Sequence, residues 1–129
     1  MEDKNQSKHN NQVVGNVGLY YVCYELSKKR WNTMPTSRNA RGIDVIIYSQ
    51  DAKRTHSIQI KTLSKKSPVP LGNKINLMGD FFVICRNVFG TPKIFITKPS
   101  EIKDRIHEGK KDNKISYWLQ PKDYEEFKD

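Results

Sequence analysis

The amino-acid sequence predicts an α/β fold with one central mixed sheet of four or five strands flanked by helices. Two observations carry this prediction: an amphipathic helix pattern near the start, and a series of short, β-branched apolar segments separated by polar turns. The order of helix, strands, loop, further strands and helix is typical of an α/β domain. The 129 residues suffice for one domain, which we place at residues 13–129 after a flexible polar arm at residues 1–12.

The first element is a helix expected from about residue 13 to residue 30. Apolar side chains recur three and four positions apart on one stripe, at Leu19, Val22, Cys23 and Leu26. Three cations at residues 28–30 lie where positive charge suits the C-terminal end of a helix dipole. The stripe indicates that one face of this helix packs against the sheet.

The predicted strands follow this helix. We expect them at residues 31–34, 43–49, 56–63, 80–86 and 93–98. The second and third form an antiparallel hairpin around the polar turn QDAKRT, and the last two form another pair. Between these hairpins, the segment SKKSPVPLGNK (residues 64–74) is expected to be a long basic loop because it holds two prolines.

The C-terminal part predicts two helices that each begin at a proline. Pro99 opens the first, which we expect to end near Gly109, because proline suits the first turn of a helix. The segment ISYWLQ predicts a short strand or extended piece, and Pro121 opens a second, shorter helix. The order of elements therefore remains that of an α/β domain.

The formal net charge of +9 favours a polyanionic partner, most simply a nucleic acid such as DNA. The alternative is that this charge serves solubility. No segment approaches the roughly 18 consecutive apolar residues of a membrane helix, and no apolar run follows the basic start as in a secretory signal. We therefore expect a cytoplasmic protein with no membrane partner.

The two cysteines, Cys23 and Cys85, lie in apolar stretches without metal-ligand spacing. Free cysteines in such surroundings are usually buried thiols of a reducing compartment. The three histidines, His9, His56 and His107, are scattered along the chain and form no cluster with the cysteines. A zinc site is therefore not expected.

Three polar residues form the constellation that suits chemistry: Asp44, Gln59 and Lys61. Asp44 begins one strand of the predicted hairpin, while Gln59 and Lys61 share a face of the next strand because side chains alternate. If the hairpin pairs around its turn, the three side chains lie close together. A carboxylate, an amide oxygen and an ammonium group in one place suit metal-assisted hydrolysis of a phosphodiester.

In that hypothesis Mg²⁺ (or Mn²⁺) has three protein ligands: the Asp44 carboxylate, the Gln59 side-chain carbonyl and the Ile60 backbone carbonyl. The ion polarises the phosphorus–oxygen bond and lowers the pKa of a bound water. Lys61 orients or helps deprotonate that water, or stabilises charge on the phosphorane. The alternative is that Gln59 and Lys61 form an exposed strand face.

The stretch RGIDVIIYS…HSIQIKT resembles the PD-(D/E)XK nuclease superfamily, which has the restriction-endonuclease-like fold. In that pattern an Asp at a strand start precedes an acidic residue or Gln, an apolar residue and Lys on the next strand. The Gln-x-Lys form resembles Mrr-like restriction enzymes. The segments GNVGLYYVCYELSKKRW, GDFFVICRN and YWLQPKDYEEFKD are also similar to parts of such domains. The resemblance implies an α-β-β-β-α-β core, a Mg²⁺-dependent DNA endonuclease with Asp44, Gln59 and Lys61 as its catalytic set, and allows a homodimer.

The chain departs from that family pattern at two positions. Active members often carry a metal-binding Glu after a Gly in the first helix, but Leu19 follows Gly18 here. Gln59 also stands where a carboxylate is usual. Glu25 and Asp80 are the acids that could supply a further ligand, although Glu25 could equally pair with Lys28 or Lys29. These departures favour a second hypothesis, a catalytically inactive nucleic-acid-binding or protein-interaction module on the same fold.

Basic residues on both sides of the hairpin are candidates for contacts with a phosphate backbone. Arg38 and Arg41 precede Asp44, and Lys65 and Lys66 follow the second strand directly. For the arginines the alternative is a plain polar loop or an ion pair with Asp44. The lysines continue the line of the proposed site and are the better candidates.

Overall fold

The computed structural model describes residues 10–37 and 42–129, which form three short layers of secondary structure. The helices are α1 (Asn11–Lys28), α2 (Pro99–Ile102) and α3 (Pro121–Tyr124), and 3₁₀ turns follow α2 at Lys103–Arg105 and α3 at Glu125–Phe127. The strands are β1 (Asn32–Pro35), β2 (Val45–Tyr48), β3 (Thr55–Thr62), β4 (Val69–Gly72), β5 (Phe81–Arg86), β6 (Lys93–Thr97), β7 (His107–Lys111) and β8 (Lys114–Leu119).

Five strands form one mixed sheet in the order β1-β2-β3-β5-β6. β3 and β5 run parallel, and every other neighbouring pair in this sheet is antiparallel. The predicted hairpin of β2 and β3 is present, with Val45 opposite Ile58. The prediction of an α/β fold with a mixed sheet of up to five strands is therefore confirmed.

A second, three-stranded sheet in the order β4-β8-β7 differs from the prediction. The expected basic loop contains β4, and the helix expected to reach Gly109 ends at Ile102. The strand β7 then begins at His107 because the tight turn at Asp112 and Asn113 folds β8 back onto it. Both residues of that turn have positive φ, 51° and 63°, a conformation that Asn and Asp tolerate better than other side chains.

The connection between the parallel strands β3 and β5 also differs from the implied α-β-β-β-α-β core. That core has a helix at this point, whereas residues 63–80 contain the strand β4 and turns. Parallel neighbours need a long crossover to return the chain to the same end of the sheet. Here the crossover serves as part of the second sheet.

The helix α1 packs on one face of the large sheet. Its apolar stripe meets residues of β2, β3, β5 and β6 in a core that includes Val22, Leu26, Val45, Ile58 and Val83. Gly18 lies directly against β3, because a Cβ there would come within 1.9 Å of the Thr62 hydroxyl oxygen. The predicted buried, free state of Cys23 and Cys85 is confirmed in this core.

The opposite face of the large sheet packs on the second sheet and the C-terminal elements. Its core includes Phe82, Ile84, Phe95, Leu119 and Tyr124, all nearly inaccessible to solvent. The two cores together bury the interior strand β5 on both sides, as its continuous burial from Phe82 to Arg86 shows.

The helix α1 begins two residues earlier than predicted. The Asn10 side chain accepts a hydrogen bond of 2.8 Å from the Val13 N–H and so caps the first turn. Residues 10–12 therefore belong to the helix end rather than to a polar arm. Residues 1–9 of the predicted arm, and the candidate phosphate contacts Arg38 and Arg41, lie outside the described residues.

Candidate nuclease site at the end of strand β3

A cleft of about 780 Å³ opens where β3 ends, between the first half of α1 and the start of β4. We call it the α1–β3 cleft. Its walls include Asn16 and Leu19 of α1, Asp44, Ile60 and Lys61 of the hairpin, and Pro70 of β4. Polar and apolar groups thus share the surface, and two of the three residues of the proposed catalytic set lie within it.

Asp44 occupies an irregular position just before β2. Its N–H donates to the Ile58 carbonyl at 2.8 Å on one side, and its carbonyl accepts from the Thr36 N–H at 2.9 Å on the other. A regular antiparallel residue points both groups at the same neighbour. Since Ile58 already faces Val45, two successive residues oppose one, as in a β-bulge, which re-aims the side chain.

The Asp44 carboxylate turns towards β3 as a result. Its Oδ2 accepts a hydrogen bond of 2.7 Å from the Ile60 N–H, a group that β2 no longer reaches. Burial raises the pKa of Asp44 above its ordinary value, while the Ile60 N–H and the positive charge of Lys61 oppose that rise. The carboxylate is therefore held in place through Oδ2 and is partly removed from water. Its second oxygen, Oδ1, takes no part in the hydrogen bond to Ile60.

Lys61 is the cation of the cleft. It is partly buried at the end of β3, and its positive charge opposes the rise in the pKa of Asp44 that burial causes. Among the described residues, no carboxylate oxygen lies within ion-pair distance of the Lys61 ammonium. An ammonium group of this kind is available to a phosphate.

Gln59 shares a strand face with Lys61 but has a different environment. Only 6% of Gln59 is exposed. Its Oε1 accepts from the Met78 N–H at 3.1 Å, and its Nε2 donates to the Asn76 carbonyl at 3.3 Å. The side chain thus clamps the backbone of residues 73–79, which we call the 73–79 loop, and it does not line the cleft. Its predicted role as a metal ligand stays a prediction.

The orientation of the Ile60 backbone is compatible with its carbonyl as the third proposed metal ligand. In a strand, the N–H and C=O of one residue point to the same side. Because the Ile60 N–H points at Asp44, its carbonyl also points to the side where β2 has not yet begun. The Ile60 carbonyl and the Asp44 carboxylate therefore present oxygen atoms at the same edge of β3.

The two acids considered as further ligands lie elsewhere. Glu25 pairs with Lys28 at 3.6 Å, which confirms the alternative interpretation of that residue. Asp80 accepts from the Ser57 N–H at 2.9 Å at the opposite end of the β3–β5 pair. Neither residue lines the α1–β3 cleft.

The lysines that follow β3 have different surroundings. Lys65 is exposed. Lys66 forms an ion pair of 3.0 Å with Glu125, and this lysine is the main cause of the lowered pKa of Glu125. Lys65 is accordingly the more accessible of the two for a phosphate, and both roles stay predictions.

Sequence reasoning missed the polar side of α1. Gln12, Asn16 and Tyr20 all line the cleft, and they recur at every fourth position, which places them on one helix face. That spacing could have identified them, since amides and a phenol along one stripe interrupt an otherwise apolar helix. They lie where the expected helix carboxylate is missing.

Two features of the described residues bear on metal binding and on membrane insertion. Within residues 10–37 and 42–129, no three His, Cys, Asp or Glu side chains converge so that they could hold a metal ion. In the same ranges, no helix combines the length and the apolarity needed to cross a bilayer. Comparison of the chain with protein-family models, curated proteins and solved structures gave no match.

Proposed function

We propose that the α1–β3 cleft binds the backbone of DNA and hydrolyses one of its phosphodiester bonds with the help of Mg²⁺ or Mn²⁺. The observation that carries the proposal is the convergence of Asp44 and Lys61 on one cleft at the end of a single strand. The net charge of +9 adds a general attraction to polyanions.

The donor atoms in the cleft suit a hard divalent cation. Mg²⁺ binds through one or two carboxylates and completes its shell with waters and substrate phosphate. The Asp44 carboxylate and the Ile60 carbonyl supply oxygens of this type at one edge of β3. When bound there, the ion would polarise the phosphodiester and make a water molecule more acidic.

The protein groups of the cleft have two roles: they orient the reacting groups, and they stabilise negative charge. Asp44 is fixed by the Ile60 N–H, so its free oxygen has a defined direction. Lys61 stabilises the negative charge that builds on the phosphoryl oxygens, and the amides of Gln12 and Asn16 hold non-reacting oxygens. Water adds to phosphorus, one ester bond breaks, and the proton lost by the water balances the departing alkoxide, which leaves a phosphate monoester and a hydroxyl.

The substitution Asp44→Asn tests this proposal with little change in shape. The amide oxygen can still accept from the Ile60 N–H, so the fold is retained while the negative charge is lost. We expect cleavage of linear, branched or single-stranded DNA with Mg²⁺ or Mn²⁺ to fall by at least about 10²-fold. The measurement is product formation on gels, alongside a thermal melt of each protein.

Matched controls separate chemistry from charge. Asp104→Asn removes one exposed carboxylate outside the cleft, so cleavage should stay at the wild-type level. Equal cleavage by wild type and Asp44→Asn would remove Asp44 from the mechanism. If the wild type cleaves none of these substrates with either metal, the proposal of a nuclease is wrong.

A second candidate function has its own supporting observation. The Gln59 amide is occupied by the 73–79 loop, and Asp44 is the one carboxylate among the described residues that line the cleft. A site with one acid favours binding without hydrolysis. In that case the protein binds DNA in a salt-sensitive manner, Asp44→Ala leaves the affinity unchanged or raises it, and titration with Mn²⁺ produces no bound-metal signal.

A further inference from the structure

The hairpin of β7 and β8 ends in a basic, projecting tip. Lys111 faces Lys114 across the turn, and Lys110 faces Ile115. The two turn residues, Asp112 and Asn113, both have positive φ, which is the geometry of a tight two-residue hairpin turn. We call residues 110–115 the hairpin tip, and all six of its residues are exposed.

The tip has no third strand beside it. β4 pairs with β8 only from Tyr117 to Leu119, opposite Gly72 to Val69. The last part of the hairpin therefore extends beyond the second sheet as a two-stranded ribbon. An isolated ribbon of this kind is only marginally stable in water, so its direction depends on how firmly its base is held.

The base of the hairpin is held firmly. The Trp118 ring lies across Gly109, where an added Cβ would come within 2.9 Å of the ring. Trp118 also stacks on His107, with ring centroids 5.8 Å apart and planes 14° apart. The His107 Nε2 contacts the Asp123 carboxylate at 2.9 Å, and the same carboxylate accepts from the Gln120 N–H at 2.8 Å. The hairpin is thereby fixed to the start of α3.

The charges of the tip have few internal partners. In the part of the chain that the structure describes, none of Lys110, Lys111 and Lys114 forms an ion pair, whereas Lys28, Lys29 and Lys66 each do. Asp112 is the only acid of the tip. Ile115 is 39% exposed and lies among these cations, so the tip presents one apolar side chain together with its positive charges.

We propose that the hairpin tip is a second DNA contact that enters the major groove of a duplex. The major groove, about 12 Å wide, admits a two-stranded β-ribbon. The three lysines would lie between the phosphate rows, and Ile115 would meet the apolar C5-methyl edge of a thymine. This inference rests on the proposed function and deepens it, because it makes duplex DNA the substrate class.

The test measures binding of a duplex of about 20 base pairs, and of a single strand of equal length, over a series of salt concentrations. The variant combines Lys110→Gln, Lys111→Gln and Lys114→Gln. We expect duplex affinity to fall at least about tenfold, and the slope of log K against log salt to fall by about 2 to 3, because each lost phosphate contact removes about 0.9. Single-strand affinity should change less than about twofold if the strand uses the cleft alone.

The matched control carries the same loss of charge at exposed sites away from the tip, as Lys53→Gln, Lys103→Gln and Lys122→Gln. It should retain duplex affinity within about twofold and keep most of the salt slope. Equal weakening by both variants would reduce the effect to bulk charge and overturn the inference, as would a wild type that binds no duplex. The variants should keep the wild-type circular dichroism and melting temperature, since the changed side chains are exposed.

Ile115→Ser separates groove entry from contact with the backbone alone. Loss of an apolar contact to a base edge should lower duplex affinity by about two- to fivefold and leave the salt slope unchanged. An unchanged affinity would overturn groove entry. If duplex binding depends on the tip but no DNA is cleaved, the proposed nuclease is wrong and this inference stands. If DNA is cleaved but duplex binding does not depend on the tip, the proposed nuclease stands and this inference is wrong.

Discussion

Two neighbouring positions on one face of β3 have opposite environments. At the middle of the strand, Gln59 is covered by the 73–79 loop, and both its amide oxygen and its amide nitrogen form hydrogen bonds with the backbone of that loop. At the end of the strand, Lys61 lies beside open space and acts on Asp44 through its charge. Their identical orientation with respect to the sheet therefore does not give them the same role.

The difference teaches that a strand's alternation determines the face of a side chain but not what covers that face. Gly79 contributes to the cover over Gln59, because its positive φ of 95° and its lack of a side chain let the loop approach the Ser57 carbonyl. The helix α1 does not cover Lys61, because its close contact, Gly18 against Thr62, lies on the opposite face of β3. On this face of β3, a covered side chain at Gln59 is thus followed two residues later by an open one at Lys61.

The largest effect is expected at Lys61, the uncovered position of the two. Lys61→Met keeps the length of the side chain and removes its charge, so DNA cleavage should fall by about 10²–10³-fold through loss of charge stabilisation. Stability should change little, because the residue has no ion pair among the described residues. The measurement is the rate of cleavage with Mg²⁺ together with chemical denaturation. The matched control is Lys103→Met, which should cleave at the wild-type rate. A Lys61→Met protein that cleaves as fast as wild type would leave Lys61 without a catalytic role.

A smaller effect, on stability, tests the closed position. Gln59→Leu retains the volume but leaves the Met78 N–H and the Asn76 carbonyl without their partner, which should lower the free energy of unfolding by about 1–3 kcal/mol. Gln59→Glu should also destabilise the loop, because a carboxylate cannot donate to the Asn76 carbonyl. Chemical denaturation measures both variants. If Gln59→Glu instead raises metal-dependent cleavage, Gln59 is a ligand position and the clamp is not its main role.

The smallest expected effect concerns pH and the carboxylate beside Lys61. Because burial raises the pKa of Asp44, its contribution to stability is fully present when it is protonated in acid and is lost as the pH rises through the folded pKa. Asp44→Asn has no such titration. Wild type should therefore lose stability relative to Asp44→Asn between about pH 4 and neutral pH, as measured by denaturation at several pH values. The opposite trend would mean that Lys61 and the Ile60 N–H outweigh burial.

The sequence was most informative where local pattern and environment agree. The β-branched runs of β2 and β3 predicted the hairpin and the face shared by Gln59 and Lys61, and the structure has both. β4 was missed because Pro70 argues against a strand, yet proline is tolerated in β4, which is an edge strand of its sheet. β7 was missed because the segment HEGKK is polar and exposed, so it carries no apolar alternation.

The candidate site was predictable only in part for a related reason. The nearness of Asp44 to β3 follows from hairpin register, which the residue types specify. The clamp on Gln59 depends on backbone groups of Asn76 and Met78, and backbone groups have no signature in a sequence. The bulge-like position of Asp44 and the contact of Gly18 with Thr62 likewise depend on how separate elements meet.

The route of the chain from β3 to β5 through the second sheet has a consequence for synthesis of the protein. Pro70, which forms one wall of the α1–β3 cleft, belongs to β4, and the strand that pairs with β4 follows only at residues 117–119. During translation β4 therefore remains an unpaired edge until the C-terminal strand has left the ribosome. The nascent chain can assemble its large sheet earlier, but the cleft closes last, so an incomplete chain lacks the finished wall that Pro70 gives to the α1–β3 cleft.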